Sequence, residues 1–258
     1  MLNTEQKLST SDPADVPKNG VLIAAADSDF LIEQKTGESQ FTIRLANSAG
    51  LREKASLLIR QRYGWRGYSV DSPLQEAPNA ISLVAEAGGE TVATITLRYD
   101  THGNGFAGSE FPETGLPADE NFHDQLQELR TRGRRMCEAS RLAIAENVPK
   151  RVFAALIHIA YMYTNNIHHY TDFIIEVNPR HVMFYRKMLG FRTLGEERMC
   201  SRVNAPAVLM RLELTYMTKQ IQQFAGMYET HGKNRTFYPY FFPLKDELGI
   251  TGRLRNHN

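Results

Sequence analysis

Apolar and polar positions along this chain alternate between two periods, and each switch marks an element. Phe41-Thr42-Ile43-Arg44-Leu45 alternates as a strand with one buried face does. Leu51, Ala55, Leu58, Ile59 and Arg62 then recur at helical spacing over residues 49–63, and Gly64 to Tyr68 end that helix. Two β-rich runs, 80–86 and 91–99, flank Gly88-Gly89, which predicts a hairpin. A Gly- and Pro-rich excursion covers 102–117. Beyond it the pattern predicts a helix near 122–132, a strand over 137–145 and a buried helix over 151–165.

The run Ile174-Ile175-Glu176-Val177-Asn178-Pro179 reads as a buried strand broken by Asn-Pro. Phe184, Met188 and Leu189 follow at helical spacing, and Gly190 stops that helix before Phe191. A last strand is expected over 208–214. Residues 1–39 are rich in Ser, Asp, Pro, Lys and Gly, with one small apolar island at 21–26, and read as a flexible leader. Residues 218–258, with Phe237-Tyr238-Pro239-Tyr240-Phe241-Phe242-Pro243, read as a helix and an aromatic tail packed on a domain spanning 40–217. The mixed order of strands and helices predicts a three-layer α/β fold.

Composition narrows the partners. A formal net charge of +1 over 258 residues gives no global attraction to nucleic acid or membrane, so a charged partner must meet a local patch. Cys137 and Cys200 are too few for a disulfide framework and lack metal-site spacing, which fits a reducing cytoplasm. No stretch is apolar enough to span a bilayer. His158, His168 and His169 have no carboxylate or cysteine at ligand spacing, so no metal is expected.

Four landmarks arrive in a fixed order: Arg60, Arg62 and Trp65 after the first helix, Arg98 closing the hairpin, Glu138-Ala139-Ser140-Arg141-Leu142 in the next strand, and the Asn178 to Phe191 unit with Tyr185. Together they resemble the long-chain N-acyl amino acid synthases and their relatives, the acyl-homoserine lactone synthases, within the GNAT superfamily. The resemblance covers most of residues 41–216 and implies a GNAT-like α/β/α fold with a mixed, mainly antiparallel central sheet flanked by helices. It implies an acyltransferase in which Glu138, Arg141 and Tyr185 are catalytic and Arg60, Arg62, Trp65, Arg98, Asn178, Leu142 and Phe153 hold substrate. Glu138 and Arg141 lie three apart, so only a bulge or twist turns both to one cleft. In the resembled proteins this strand is bulged and offers a backbone N–H to the thioester oxygen. Glu138 is then a base for the attacking amine, or a structural ion-pair partner of Arg98 and Arg141. Tyr185 is the candidate to protonate the leaving thiolate, or a core aromatic. Asn178 either bonds the amides of the pantetheine arm or caps the helix after Pro179.

One absence bears on the donor. Where coenzyme A enzymes of this superfamily carry a Gly-rich pyrophosphate turn, this chain reads Ala145-Glu146-Asn147-Val148-Pro149-Lys150-Arg151, with no glycine and a proline that removes a donor. The resemblance offers acyl-phosphopantetheine on an acyl carrier protein instead, with no tightly bound cofactor. Such carriers are acidic, which makes Lys150 and Arg151 the expected docking cations and leaves the run Arg130 to Arg135 a weaker candidate. An acyl chain needs an apolar tunnel, for which Leu142, Ile144, Phe153, Leu156 and Ile157 are candidate walls. The expected reaction is transfer of a long fatty acyl group to the α-amine of an amino acid, part of cytoplasmic lipid biosynthesis. The alternatives are a lactone synthase using S-adenosylmethionine and a silent acyl-carrier-binding regulator.

Overall fold

The computed structural model describes residues 21–256 apart from 23–24, 27–28, 31, 37–38, 69–72, 75–76, 103–113 and 232–235. Most of the Gly- and Pro-rich excursion and the first part of the expected leader therefore lie outside the described residues. Short strands β1 (Val21–Leu22), β2 (Ala25–Ala26), β3 (Asp29–Phe30) and β4 (Ile32–Thr36) occupy the described part of the leader. β4 pairs antiparallel with β5 (Ser39–Leu45), so the leader expectation gives way here to edge strands, added where backbone groups of β5 would otherwise lack partners.

Helix α1 (Ala49–Gly64) follows, capped by Ser48, whose Oγ accepts from the Leu51 N–H at 3.3 Å. β6 (Ala80–Ala87) and β7 (Glu90–Tyr99) form the hairpin, and both turn residues, Gly88 and Gly89, take positive φ (59° and 83°), which glycine adopts without steric cost. Next come α2 (Asp119–Thr131), β8 (Met136–Ile144) and α3 (Lys150–Tyr161), the last continuing as a π-helical stretch to Ile167. β9 (Asp172–Val177), α4 (Val182–Leu189), β10 (Arg192–Thr193), β11 (Arg198–Cys200), β12 (Ala205–Glu213) and the C-terminal helices α5 (Leu214–Phe224), α6 (Tyr228–His231) and α7 (Leu244–Arg255) complete the chain.

The main sheet runs β1-β4-β5-β6-β7-β8-β9-β12-β10, with β11 beside β12. Among the described ladders only β8 with β9 is parallel, because α3 carries the chain back between them. The sheet has two covered faces. On one, α1 packs its Leu51, Ala55, Leu58 and Ile59 against Val84 and Ala143, while Phe122, Leu126 and Leu129 of α2 meet Met136, Ile174 and Leu209. The alternate residues Leu83, Ala85, Cys137, Phe173 and Met210 point to the opposite face, where α3, α5, α7 and the aromatic tail pack. From Val152 to Tyr161 every residue of α3 is buried, so packing on all sides holds it. His158 ties the tail to this layer: its Nδ1 accepts from the Phe242 N–H at 3.0 Å and its ring stacks on Phe241 and Phe242. Gly190 ends α4 in the left-handed region (φ 88°), and a Cβ there would collide with the ring of Tyr216.

Candidate active site

The parallel ladder of β8 and β9 ends at Glu138 opposite Ile174, although β8 continues to Ile144 and β9 to Val177. Past that point the two strands separate. On its other edge β8 bulges against β7: Thr94 to Thr96 on β7 spans two residues, while their partners Ala143 and Ser140 span three. Arg141 sits in the bulge with φ 50°, a left-handed conformation rare outside glycine. The bulge resets the alternation, so Glu138 and Arg141 line the same space despite their odd spacing.

That space is a cavity of about 1010 Å³. Its apolar wall comes from Leu142 and Ile144 of β8, Phe153, Ile157 and Ala160 of α3, and Phe173 and Ile175 of β9. Leu156, expected in the wall, is fully buried in the core and does not line the cavity. Lys150 is exposed and stands at the mouth, one stripe of α3 away from buried Ala160.

Glu138 is only 2% exposed, and burial raises its pKa to about 7. Its Oε2 accepts from the Ala118 N–H at 2.8 Å, which opposes that rise, as does the more distant Arg202. Among the described residues it forms no ion pair, so the alternative of a structural pair with Arg98 and Arg141 is not realised. Arg98 instead donates to Asn79 Oδ1 at 3.2 Å, and Arg141 to the Pro73 carbonyl at 3.1 Å. Arg98 and Glu138 are directly opposed across β7 and β8. Arg98 and Pro117 also border a second hollow of about 450 Å³ that includes His102 and His123.

Tyr185 lines the cavity, and burial pushes its hydroxyl well above the usual phenol range. A neutral phenol with so high a pKa is a hydrogen-bond donor, not a ready acid. Asn178 also lines the cavity, yet both ends of its amide are engaged: Oδ1 accepts from the Arg180 N–H and Nδ2 donates to the Pro206 carbonyl, each at 3.2 Å. It caps the turn Pro179–His181 and fastens it to β12. Arg66 Nη1 lies 3.2 Å from His181 Nε2 and Arg180 Nη2 donates to the Tyr68 hydroxyl at 2.7 Å, which joins the end of α1 to this turn across the mouth.

The remaining expected site residues divide. Arg62 lines the cavity while pairing with Glu146 at 2.8 Å. Arg60 lies on the exposed side of α1, and Trp65, 73% exposed beyond the helix end, stacks under Arg62; both stand off the lining because the helix turns its Leu58-Ile59 face inward. Arg151 also stands off the lining, with its guanidinium 4.0 Å from the Tyr228 ring centroid. The run Arg130 to Arg135 is largely structural: Arg130 bridges Asp100 and Asp119, and Arg134 and Arg211 clamp buried Asp172. Two charged lining residues that face Glu138, Glu176 and Arg202, were not among the expected site residues. Glu176 of β9 accepts from Asn121 Nδ2 at 3.0 Å and pairs with Arg202, which stands in the turn between β11 and β12. An acidic residue between apolar Ile175 and Val177 was the one available signal for Glu176, and Arg202 gave none.

A splayed pair of parallel strands, a bulge where β8 meets β7 and a buried carboxyl group facing a deep apolar cavity fit an acyltransferase. The chain belongs to the FeeM family of N-acyl amino acid synthases, whose family model matches residues 54–213. Its fold is similar to that of FeeM, an N-acyl amino acid synthase from uncultured soil microbes, with a TM-score of 0.61 at 24% identity over 70% of this chain and 94% of that one. Further similar structures are the AHL synthase LasI (TM-score 0.46, 16% identity, 68% and 91% of the two chains) and a putative N-acetyltransferase from Lactobacillus plantarum (0.46, 16%, 67% and 98%). Comparison with curated protein sequences gives no match.

Proposed function

We propose that this N-acyltransferase moves a long-chain fatty acyl group from the phosphopantetheine of an acyl carrier protein to the α-amine of an amino acid. The observation that carries this reading is the cavity itself, which is lined by an exposed lysine, a buried carboxyl and a set of apolar side chains. The acyl chain lies along Phe153, Ile157 and Ala160, with the thioester between the splayed ends of β8 and β9. The amine nitrogen attacks the carbonyl carbon, Glu138 takes the amine proton, and the C–S bond breaks to release thiolate, which regains a proton from solvent. A carboxyl poised near pH 7 suits a base in neutral solution. A backbone N–H of β8 past the end of its ladder with β9 donates to the oxyanion, an interaction worth about 10²–10³ in rate, and Tyr185 donates a hydrogen bond to the departing sulfur. Arg98, opposite Glu138 and bonded to a neutral amide, is placed to receive the acceptor carboxylate.

Support for the carrier-bound donor comes from the turn before α3. Its Ala145 N–H bonds to the Val92 carbonyl at 2.8 Å, Pro149 has no N–H, and the Val152 N–H returns to the Pro149 carbonyl at 3.0 Å, which leaves few donors for a pyrophosphate. The test is a competition between dodecanoyl carrier protein and dodecanoyl-coenzyme A, with pooled amino acids and S-adenosylmethionine present. Carrier preference with an N-acyl amino acid as product supports the reading. Equal use of the donors removes the carrier, and consumption of S-adenosylmethionine favours lactone synthesis.

A further inference from the structure

We propose that Arg202 is a positioning residue that sets the protonation of Glu138 through the Pro117–Ala118 peptide unit. This deepens the reading of Glu138 as the base and rests on it. The carbonyl and N–H of that one peptide face opposite ways: the Pro117 carbonyl accepts from Arg202 Nη1, and the Ala118 N–H donates to Glu138 Oε2 at 2.8 Å. A cation on the carbonyl polarises the amide and strengthens the donor at its far end, so the positive charge of Arg202 is relayed to the carboxylate beyond its direct Coulombic reach.

Arg202 is itself fixed from two sides. Its second nitrogen pairs with Glu176 Oε2, and Nη1 also meets Glu120 Oε2 at 3.1 Å. Ser201 next to it donates to Glu120, and Arg198 donates to the Asn121 carbonyl, so the turn between β11 and β12 is strapped onto α2 at the Glu138 end of the cavity. The charged groups facing Glu138 are Arg98 from β7, Glu176 from β9 and Arg202 from this turn, with the thiol of Cys137 beside it on β8. Glu176 opposes ionisation of Glu138, while Arg202 and Arg98 favour it. Glu176 thus holds the residue that offsets its own repulsion.

The sign follows. Replacing Arg202 by glutamine removes a cation and weakens the Ala118 donor, and both changes disfavour the carboxylate, so the Glu138 midpoint rises. For a rise of about one pH unit the rate at pH 7 falls about fivefold and returns to the parent value near pH 9. The experiment is the pH profile of kcat/KM with acyl carrier protein as donor for the parent, Arg202→Gln and Arg202→Lys, with a ¹³C NMR titration of the Glu138 carboxyl in each. An alkaline shift in both readouts for Arg202→Gln, partly reversed in Arg202→Lys, supports the relay. A loss of rate that is equal at every pH, or an unmoved carboxyl midpoint, overturns it. Should Arg202→Gln not fold, the same two readouts on Arg202→Lys decide, since lysine keeps the charge but cannot span Pro117 and Glu176 together. An unchanged rate in Glu138→Gln would remove the base assignment alone, because the NMR midpoint reads the relay without turnover.

Discussion

Filling the floor of the cavity should shorten the acyl chain the enzyme accepts, and Ala160 is the position at which to do it. Lys150, Phe153, Ile157 and Ala160 share one face of α3 and all line the cavity. Seven residues at about 1.5 Å each place Ala160 about 10 Å beyond Phe153, where the chain begins past the thioester. An extended alkyl chain advances roughly 1.25 Å per carbon, from a C–C bond of about 1.52 Å at a tetrahedral angle, so about eight carbons reach the floor. Ala160→Leu adds three carbons there and displaces about three methylenes of the longest substrates. At about 0.8 kcal/mol each the loss is about 2.4 kcal/mol, or roughly fiftyfold in kcat/KM for dodecanoyl and longer chains. Butanoyl and hexanoyl donors end short of Ala160 and keep their rates. The assay is kcat/KM against acyl length on the carrier protein, with Tm measured alongside because overfilling a core costs about 1–3 kcal/mol. An equal fall at every length with Tm preserved, or an unchanged profile, would refute the placement of the chain along α3.

Other consequences can be checked together. Glu138→Gln should abolish most turnover while the parent loses activity below about pH 7, since only the carboxylate accepts the amine proton; a profile flat from pH 6 to 9 would exclude the base role. The same variant bears on stability: the folded pKa of Glu138 is raised, so the contribution of this group is fully present at pH 4 and is lost as pH rises through about 7. Glu138→Gln should therefore be the more stable protein at pH 8, by an amount on the order of 3 kcal/mol that vanishes toward pH 4, as read by urea unfolding. Lys150→Glu should raise KM for acyl carrier protein and leave KM for a small acyl-pantetheine thioester unchanged, which separates docking from catalysis. Asn178→Ala loses a cap and a tie to β12, and thermal unfolding should show a cost of about 1–2 kcal/mol.

Much of the fold was readable because local signals and the global sheet agree. Gly88-Gly89 could only be a tight turn, the helical stripe of residues 49–63 could only cover a sheet, and Asn-Pro could only break β9. The bulge was implied by two functional side chains at a spacing that a regular strand cannot bring together, and Arg141 adopts it. The separation of β8 from β9 had no local signal, since where a ladder ends depends on tertiary packing. The same holds for Ala118 and Arg202, which reach Glu138 from 20 and 64 residues away through loops whose sequences have no period. Arg60 and Trp65 show the converse case. Their types suit a binding site, but the rotation of α1 leaves them outside it. β10 and β11 are too short for periodicity to register.

The central claim is that the cavity between β8 and β9 joins a carrier-bound acyl chain to an amino acid under control of Glu138. The most direct measurement is a single-turnover reaction of purified protein with ¹³C-labelled dodecanoyl carrier protein and a pool of amino acids, followed by mass spectrometry of the products. A labelled N-dodecanoyl amino acid with a free carboxylate, formed by the parent and not by Glu138→Gln, is the predicted result. Labelled free fatty acid alone, or the same amide yield from both proteins, would contradict it.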